Sequence, residues 1–125
     1  MTLTPRRLTV GLLLALQFIA SISMSMVFSL APTITAFFGI PASNATFLNI
    51  GFVAAGLLSP LFGYAADRQG AKPVLIVGTL IFVLGHGLAA MSTTVWLYFT
   101  ARFLVGLGYS AMLGLIVSYL SKLLD

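Results

Sequence analysis

The sequence predicts an all-α fold in which four helices each cross a membrane once. Three observations predict it. Of the 125 residues, 60% are hydrophobic and 6% charged, whereas soluble domains average about 45–50% and about 25%, so this composition cannot cover a water-facing surface. The apolar residues fall into four long runs. The few basic residues collect at one set of run ends, a one-sidedness that a bilayer imposes on the loops between spans.

The first run covers residues 8–30, 23 residues behind Arg6 and Arg7. The core of a secretory signal is only about 7–15 residues long, so the run reads as a retained span, although Ser29-Leu30-Ala31 resembles a cleavage site. The second covers residues 47–66, the third, opened by Pro73, residues 73–91, and the fourth residues 95–117. At about 1.5 Å of rise per residue the four reach roughly 28–35 Å, against a hydrocarbon core of roughly 30 Å. The connections are residues 31–46, 67–72 and 92–94.

One side of the membrane receives Arg6, Arg7, Arg68, Lys72 and Lys122, the other receives no basic residue, and Arg102 lies inside a span. The positive-inside rule therefore predicts a multi-pass protein of the cell membrane with both termini and the 67–72 loop in the cytoplasm. Trp96 and Tyr98 at the outer end, with Tyr64 and Tyr119 at the inner, fit aromatic interface belts or helix packing. A net charge of +4 and a pI near 10.0 would suggest nucleic acid in a soluble chain; here they set orientation, and no nucleic-acid partner is expected. With no cysteine and one histidine the chain has no material for disulfides, thiol catalysis or Cys/His metal clusters. Neither an enzyme nor a bound metal or cofactor is predicted.

The chain reverses at Gly63-Tyr64-Ala65-Ala66-Asp67-Arg68-Gln69-Gly70-Ala71-Lys72-Pro73. Gly70 supplies the positive φ of a tight turn, and Pro73 suits the first turn of a helix, where its missing N–H is not needed. The charges are out of place. Asp67 falls at the carboxyl end of the second helix and Lys72 at the amino end of the third, each the disfavoured sign for its helix dipole. Either Asp67 pairs locally with Arg68 or Lys72, or it has a partner elsewhere. The segment resembles the signature loop of the major facilitator superfamily, G-x-L-x-D-R-x-G-R-[KR], with Gly63, Asp67, Arg68, Gly70 and Lys72 matching and Ala65 and Ala71 departing. The resemblance implies that Asp67 meets the amino end of a helix in the other half of a transporter, locking a cytoplasmic gate while the site opens outward.

In the fourth run, Arg102-Phe103-Leu104-Val105-Gly106-Leu107-Gly108 resembles the family's R-x-x-Q-G-x-G segment, with Val105 in place of the glutamine. An arginine costs about 2.5–3.5 kcal/mol at a helix centre, while the run's eleven Leu, Ile, Phe and Val residues return roughly 3–7 kcal/mol, so the helix still inserts. Arg102 either snorkels to the outer interface or serves the transport pathway; the resemblance links it to proton coupling and cavity electrostatics. Tyr98, Arg102, Gly106 and Tyr109 are three or four apart and share a face. Gly106 to Ala111 also fits a dinucleotide-binding glycine pattern, which fails because no strand precedes it. Gly106, Ser110 and Gly114 read instead as a small-residue stripe for close helix approach.

Gln17, Ser21, Ser25 and Ser29 recur every four residues in the first run and drift by about 40° per step over one face. That face either lines a solute cavity or bonds back to its own helix carbonyls. His86 is a candidate proton relay or a structural hydrogen-bonding group between helices. Asn44-Ala45-Thr46 forms a glycosylation sequon on the outer side.

Together these features imply a four-helix portion of a major-facilitator-type bundle, whose plan nests inverted three-helix repeats in six-helix halves. The expected function is secondary transport of a small-molecule substrate by alternating access, with efflux one direction. Its partners are the bilayer and the remaining helices of the transporter or another membrane subunit. One alternative is a small four-helix multidrug transporter acting as a dimer, although residues 8–30 lack the carboxylate that family carries. The other is a non-transporting interaction subunit.

Overall fold

The structure, a computed structural model, describes residues 4–124, and these are helical with no strand among them. Helix α1 (Pro5–Ser29) starts on Pro5, whose missing N–H is harmless in a first turn. A short helix α2 (Ala31–Phe37) follows after Leu30, and Pro32 starts it in the same way. Where the sequence suggests an open connection over residues 31–46, the chain therefore carries α2 and a 3₁₀ helix, Ala42–Asn49.

The second apolar run is not one straight helix. It divides into α3 (Ile50–Gly56) and α4 (Ser59–Gln69). Pro60 has no N–H for the carbonyl of Gly56 and would clash with it in an unbroken helix. Leu57, Leu58 and Leu61 instead donate to carbonyls three residues back, at 3.0–3.1 Å. That tight segment joins α3 and α4 into a 27-residue stretch, Ser43–Gln69, long and apolar enough to cross a membrane. Pro5–Ser29, Ala71–Ala90 and Val95–Leu123 are the other three such stretches.

The reversal between α4 and α5 (Ala71–Ala90) is tighter than a six-residue loop. Only Gly70 is non-helical, with φ 91° and ψ 151°, so Asp67 and Arg68 end α4 and Lys72 begins α5. The last helix, α6 (Val95–Leu124), continues about two turns past residue 117 and carries Lys122 in its final turn.

Helix α6 is the hub, packing mainly on α5 and α3 and less on α4 and α1. In lipid no hydrophobic force separates helix from solvent, so close packing of small residues brings helices together. Glycines permit it here. A Cβ at Gly106 would lie 2.8 Å from the carbonyl oxygen of Phe52, and one at Gly108 would lie 2.5 Å from the nitrogen of Phe82. Two residues span about 200° around a helix, so this G-x-G pair opens opposite sides of α6, one to α3 and one to α5. Gly106 thus belongs to the small-residue stripe, whereas Gly114 has nothing within 4 Å.

Candidate functional site

The buried charge sits on α6. Arg102 is 1% exposed and, at about 1.5 Å per residue, lies about 10 Å from the amino end of the helix. Its side chain does not snorkel. One guanidinium nitrogen, Nη2, donates to Asn49 Oδ1 at 3.1 Å, and the guanidinium carbon lies 5.1 Å from the ring centre of Phe52. The Nε and Nη1 groups are buried with no hydrogen-bond partner. Both neighbours come from the broken second span, Asn49 ending the 3₁₀ helix and Phe52 in the first turns of α3. Spacing does not single out Asn49. The available signal is its polarity, an amide at the head of an apolar run.

From Arg102 an aromatic chain runs across the bundle. Phe52 meets Tyr109 at 5.7 Å between ring centres, Tyr109 meets Phe82 at 6.4 Å, and Phe82 holds His86 edge-on at 4.5 Å. The structure therefore brings Arg102, Tyr109 and His86 into one aromatic-lined cluster between α3, α5 and α6. His86 Nε2 is buried and accepts or donates no hydrogen bond among the described residues. Gly106 lies in the wall of the same cluster, buried against α3. Tyr98 is buried one turn before Arg102 on α6, where its ring meets Phe38 at 5.3 Å.

The polar ladder of α1 divides, and the helical drift explains why. The buried face of α1 is marked by Leu13, Ala20 and Met24. Gln17 falls within about 60° of each, while every further step of four turns about 40° away. Gln17 is accordingly half-buried, with Nε2 donating to Ser21 Oγ at 3.3 Å and Oε1 buried without a partner. Ser25 and Ser29 are exposed, and each hydroxyl donates to the carbonyl four residues back at 3.0 Å. Gln17 and Ser21 remain the inward members.

At the opposite end of α6, Asp67 lines a small cleft of about 200 Å³ between α4 and α6 with Gly63, Ser110, Gly114 and Ser118. Asp67 is exposed, and no salt bridge reaches it among the described residues. Arg68, one candidate partner, lies over the Tyr64 ring at 5.1 Å instead. Gly70 makes the reversal and Gly63 leaves the cleft open, with nothing within 4 Å of a Cβ built there. Asp67 and Arg102 are thus at opposite ends of the bundle, so one cannot neutralise the other.

A family model described as Major Facilitator Superfamily matches residues 13–125. Among curated proteins, the sialic acid transporter NanX of Escherichia coli (strain K12) is 34% identical over 86 residues, 68% of this chain and 21% of its own length. Efflux pump dotC of Dothistroma septosporum is 28% identical over 114 residues, 91% of this chain and 19% of its own. Multidrug resistance protein MdtM of Salmonella typhimurium is 39% identical over 66 residues, 53% of this chain and 15% of its own. No solved structure matches. The chain spans about a fifth of the length of the curated relatives it matches. A family match over most of the chain, four apolar helices able to span a bilayer and a buried intramembrane arginine agree, and this multi-pass membrane chain belongs to the major facilitator superfamily.

Proposed function

We propose that the chain supplies four transmembrane helices of a secondary transporter that moves a small solute by alternating access, with both termini and the Gly70 reversal on the cytoplasmic side. The observation that carries this reading is Arg102, fully buried in α6 with two N–H groups unused. A charge kept inside a membrane span is costly, and the protein retains it where it acts on a solute or ion. Gln17, Ser21, Tyr109 and His86 are the further polar groups of the pathway, and Gly106 holds α3 against it. Ser25 stands at the pathway's edge.

Asp67 is the gate residue. Its carboxylate opposes its own helix dipole and pairs with nothing described, so a helix amino end from outside this chain is a favourable partner, at about 0.3–1 kcal/mol for exposed contacts and up to about 2 when partly buried. Gly63, Arg68, Gly70 and Lys72 shape and charge that reversal. For direction we propose efflux, supported by the names of the dotC and MdtM relatives and by the apolar walls of the grooves between helices.

The test is solute flux into liposomes. Residues 1–125 alone should carry none, because alternating access takes two bundles rocking about one site, and the relatives are roughly three to five times longer. Saturable flux that disappears with Arg102→Ala would mark a self-associating four-helix transporter and overturn the proposal.

A further inference from the structure

We propose that Arg102 and Asn49 form a binding site for the carboxylate of a small organic monoanion with an apolar body, reached through the groove between the α1–α2 junction and α3. The inference deepens the transporter reading by naming a substrate class, and it rests on that reading only for the statement that the anion is cargo.

The first support is charge. Arg102 is buried, its hydrogen-bond acceptor is a neutral amide, and the ring over it is hydrocarbon. The chain contains two acidic residues. Asp67 lines a cleft whose members on α6 run from Ser110 to Ser118, so 8 to 16 residues, or about 12–24 Å, along α6 from Arg102. Asp125 lies outside the described residues and directly follows Leu124, about 33 Å along α6 from Arg102. Neither can compensate the guanidinium, and a buried charge without a counter-charge costs several kcal/mol. A monoanion restores neutrality. A dianion would leave one charge over, since among the described residues no second Lys or Arg lines this end of the bundle.

The second support is geometry. The groove, about 720 Å³ in volume, is lined by Phe28, Ile50, Val53 and Leu57, with Asn49 and Phe52 in its wall. Those last two also hold the guanidinium, one by a hydrogen bond and one by its ring, so they join the charge to the groove wall. A carboxylate binds arginine through two parallel N–H groups. Both such edges of a guanidinium include Nη2, paired with Nη1 on one edge and with Nε on the other. Either way the anion satisfies one of the two orphaned groups and displaces Asn49 from Nη2. An apolar body would then lie along Phe28, Ile50 and Val53.

The probe is benzoate, with benzamide as its uncharged counterpart and sodium chloride at equal ionic strength. Thermal unfolding of the full 125-residue chain in lipid nanodiscs is followed as each is added. Benzoate should raise the midpoint saturably and the other two should not. An equal response to benzamide or chloride, or none to benzoate, overturns the proposal. Arg102→Gln should weaken benzoate at least about tenfold, the loss expected for a charge-assisted pair. Because that variant can fail to fold, Asn49→Asp gives the second arm. It places a carboxylate on Nη2 and should raise the midpoint of the ligand-free chain while abolishing the benzoate response; an unchanged response contradicts the site. The measurement is of binding, so absent flux refutes the transporter reading alone.

Discussion

Replacing Gly108 with alanine should separate α5 from α6, and replacing Gly114 should do nothing of the kind. A Cβ at Gly108 would stand 2.5 Å from the nitrogen of Phe82, 2.6 Å from the oxygen of Gly78 and 2.7 Å from the Cα of Phe82. All three are backbone atoms, so no rotamer change relieves the clash. Ordinary contact begins at 3.4 Å, and the helices must therefore part by close to 1 Å along the interface that Gly78 and Gly85 also keep tight. Overpacking of this kind costs about 1–3 kcal/mol. Alanine also favours a helix over glycine by about 0.8–1 kcal/mol, which offsets part of the loss. At Gly114 only that gain applies, because nothing lies within 4 Å. Gly108→Ala should therefore lose up to about 2 kcal/mol net, and Gly114→Ala should gain up to about 1 kcal/mol. Unfolding in mixed micelles, followed by far-ultraviolet circular dichroism, measures both. Equal effects of the two substitutions would refute the packing of α6 described above.

Gly70→Ala should cost about 1–3 kcal/mol in the same assay, since φ 91° with ψ 151° is a conformation that L residues enter only under strain; a cost below 0.5 kcal/mol, an order-of-magnitude threshold for an unstrained surface site, would show that the turn tolerates a Cβ. Asp67→Asn should leave the stability of this chain within about 0.5 kcal/mol, because the carboxylate is exposed and has no described partner to lose. A larger loss would place its partner within residues 1–125. Arg102→Ala should leave membrane insertion of α6 undiminished, as measured by membrane-fraction abundance, because the apolar residues of the helix already outweigh the arginine. Reduced abundance would mean that Arg102 holds the bundle together.

The fold class was legible in composition and in four apolar runs, because lipid leaves a spanning chain little alternative to helices. The breaks were legible only in part. Pro60 sits inside an apolar run whose hydropathy hides it, yet its missing N–H divides α3 from α4. Gly70 was readable because a reversal this short needs positive φ. In the site, Arg102 stood out as the one charge within a span. Its neighbours did not, since Asn49 reaches it across 53 positions and only tertiary packing makes that contact. The serines illustrate the reverse case: a spacing of four marks a ladder, but helical drift carries Ser25 and Ser29 to the surface, where they bond their own helix. Glycine spacing was ambiguous for the same reason. Gly106 and Gly114 are eight apart and share a stripe, but the glycine that α5 closes on is Gly108, on the other side of α6.

The most direct test of the proposed cytoplasmic gate is the sidedness of its reversal, and a chain without cysteine allows single reporters to be placed at will. Ser43, in the 3₁₀ helix, and Gln69, the last residue of α4, are both exposed and lie at opposite ends of the second span. In intact cells an impermeant maleimide should label Ser43→Cys, and it should reach Gln69→Cys only after the membrane is permeabilised. Labelling of Gln69→Cys from outside, with Ser43→Cys protected, would put Asp67 on the wrong side of the membrane and contradict its role as the gate.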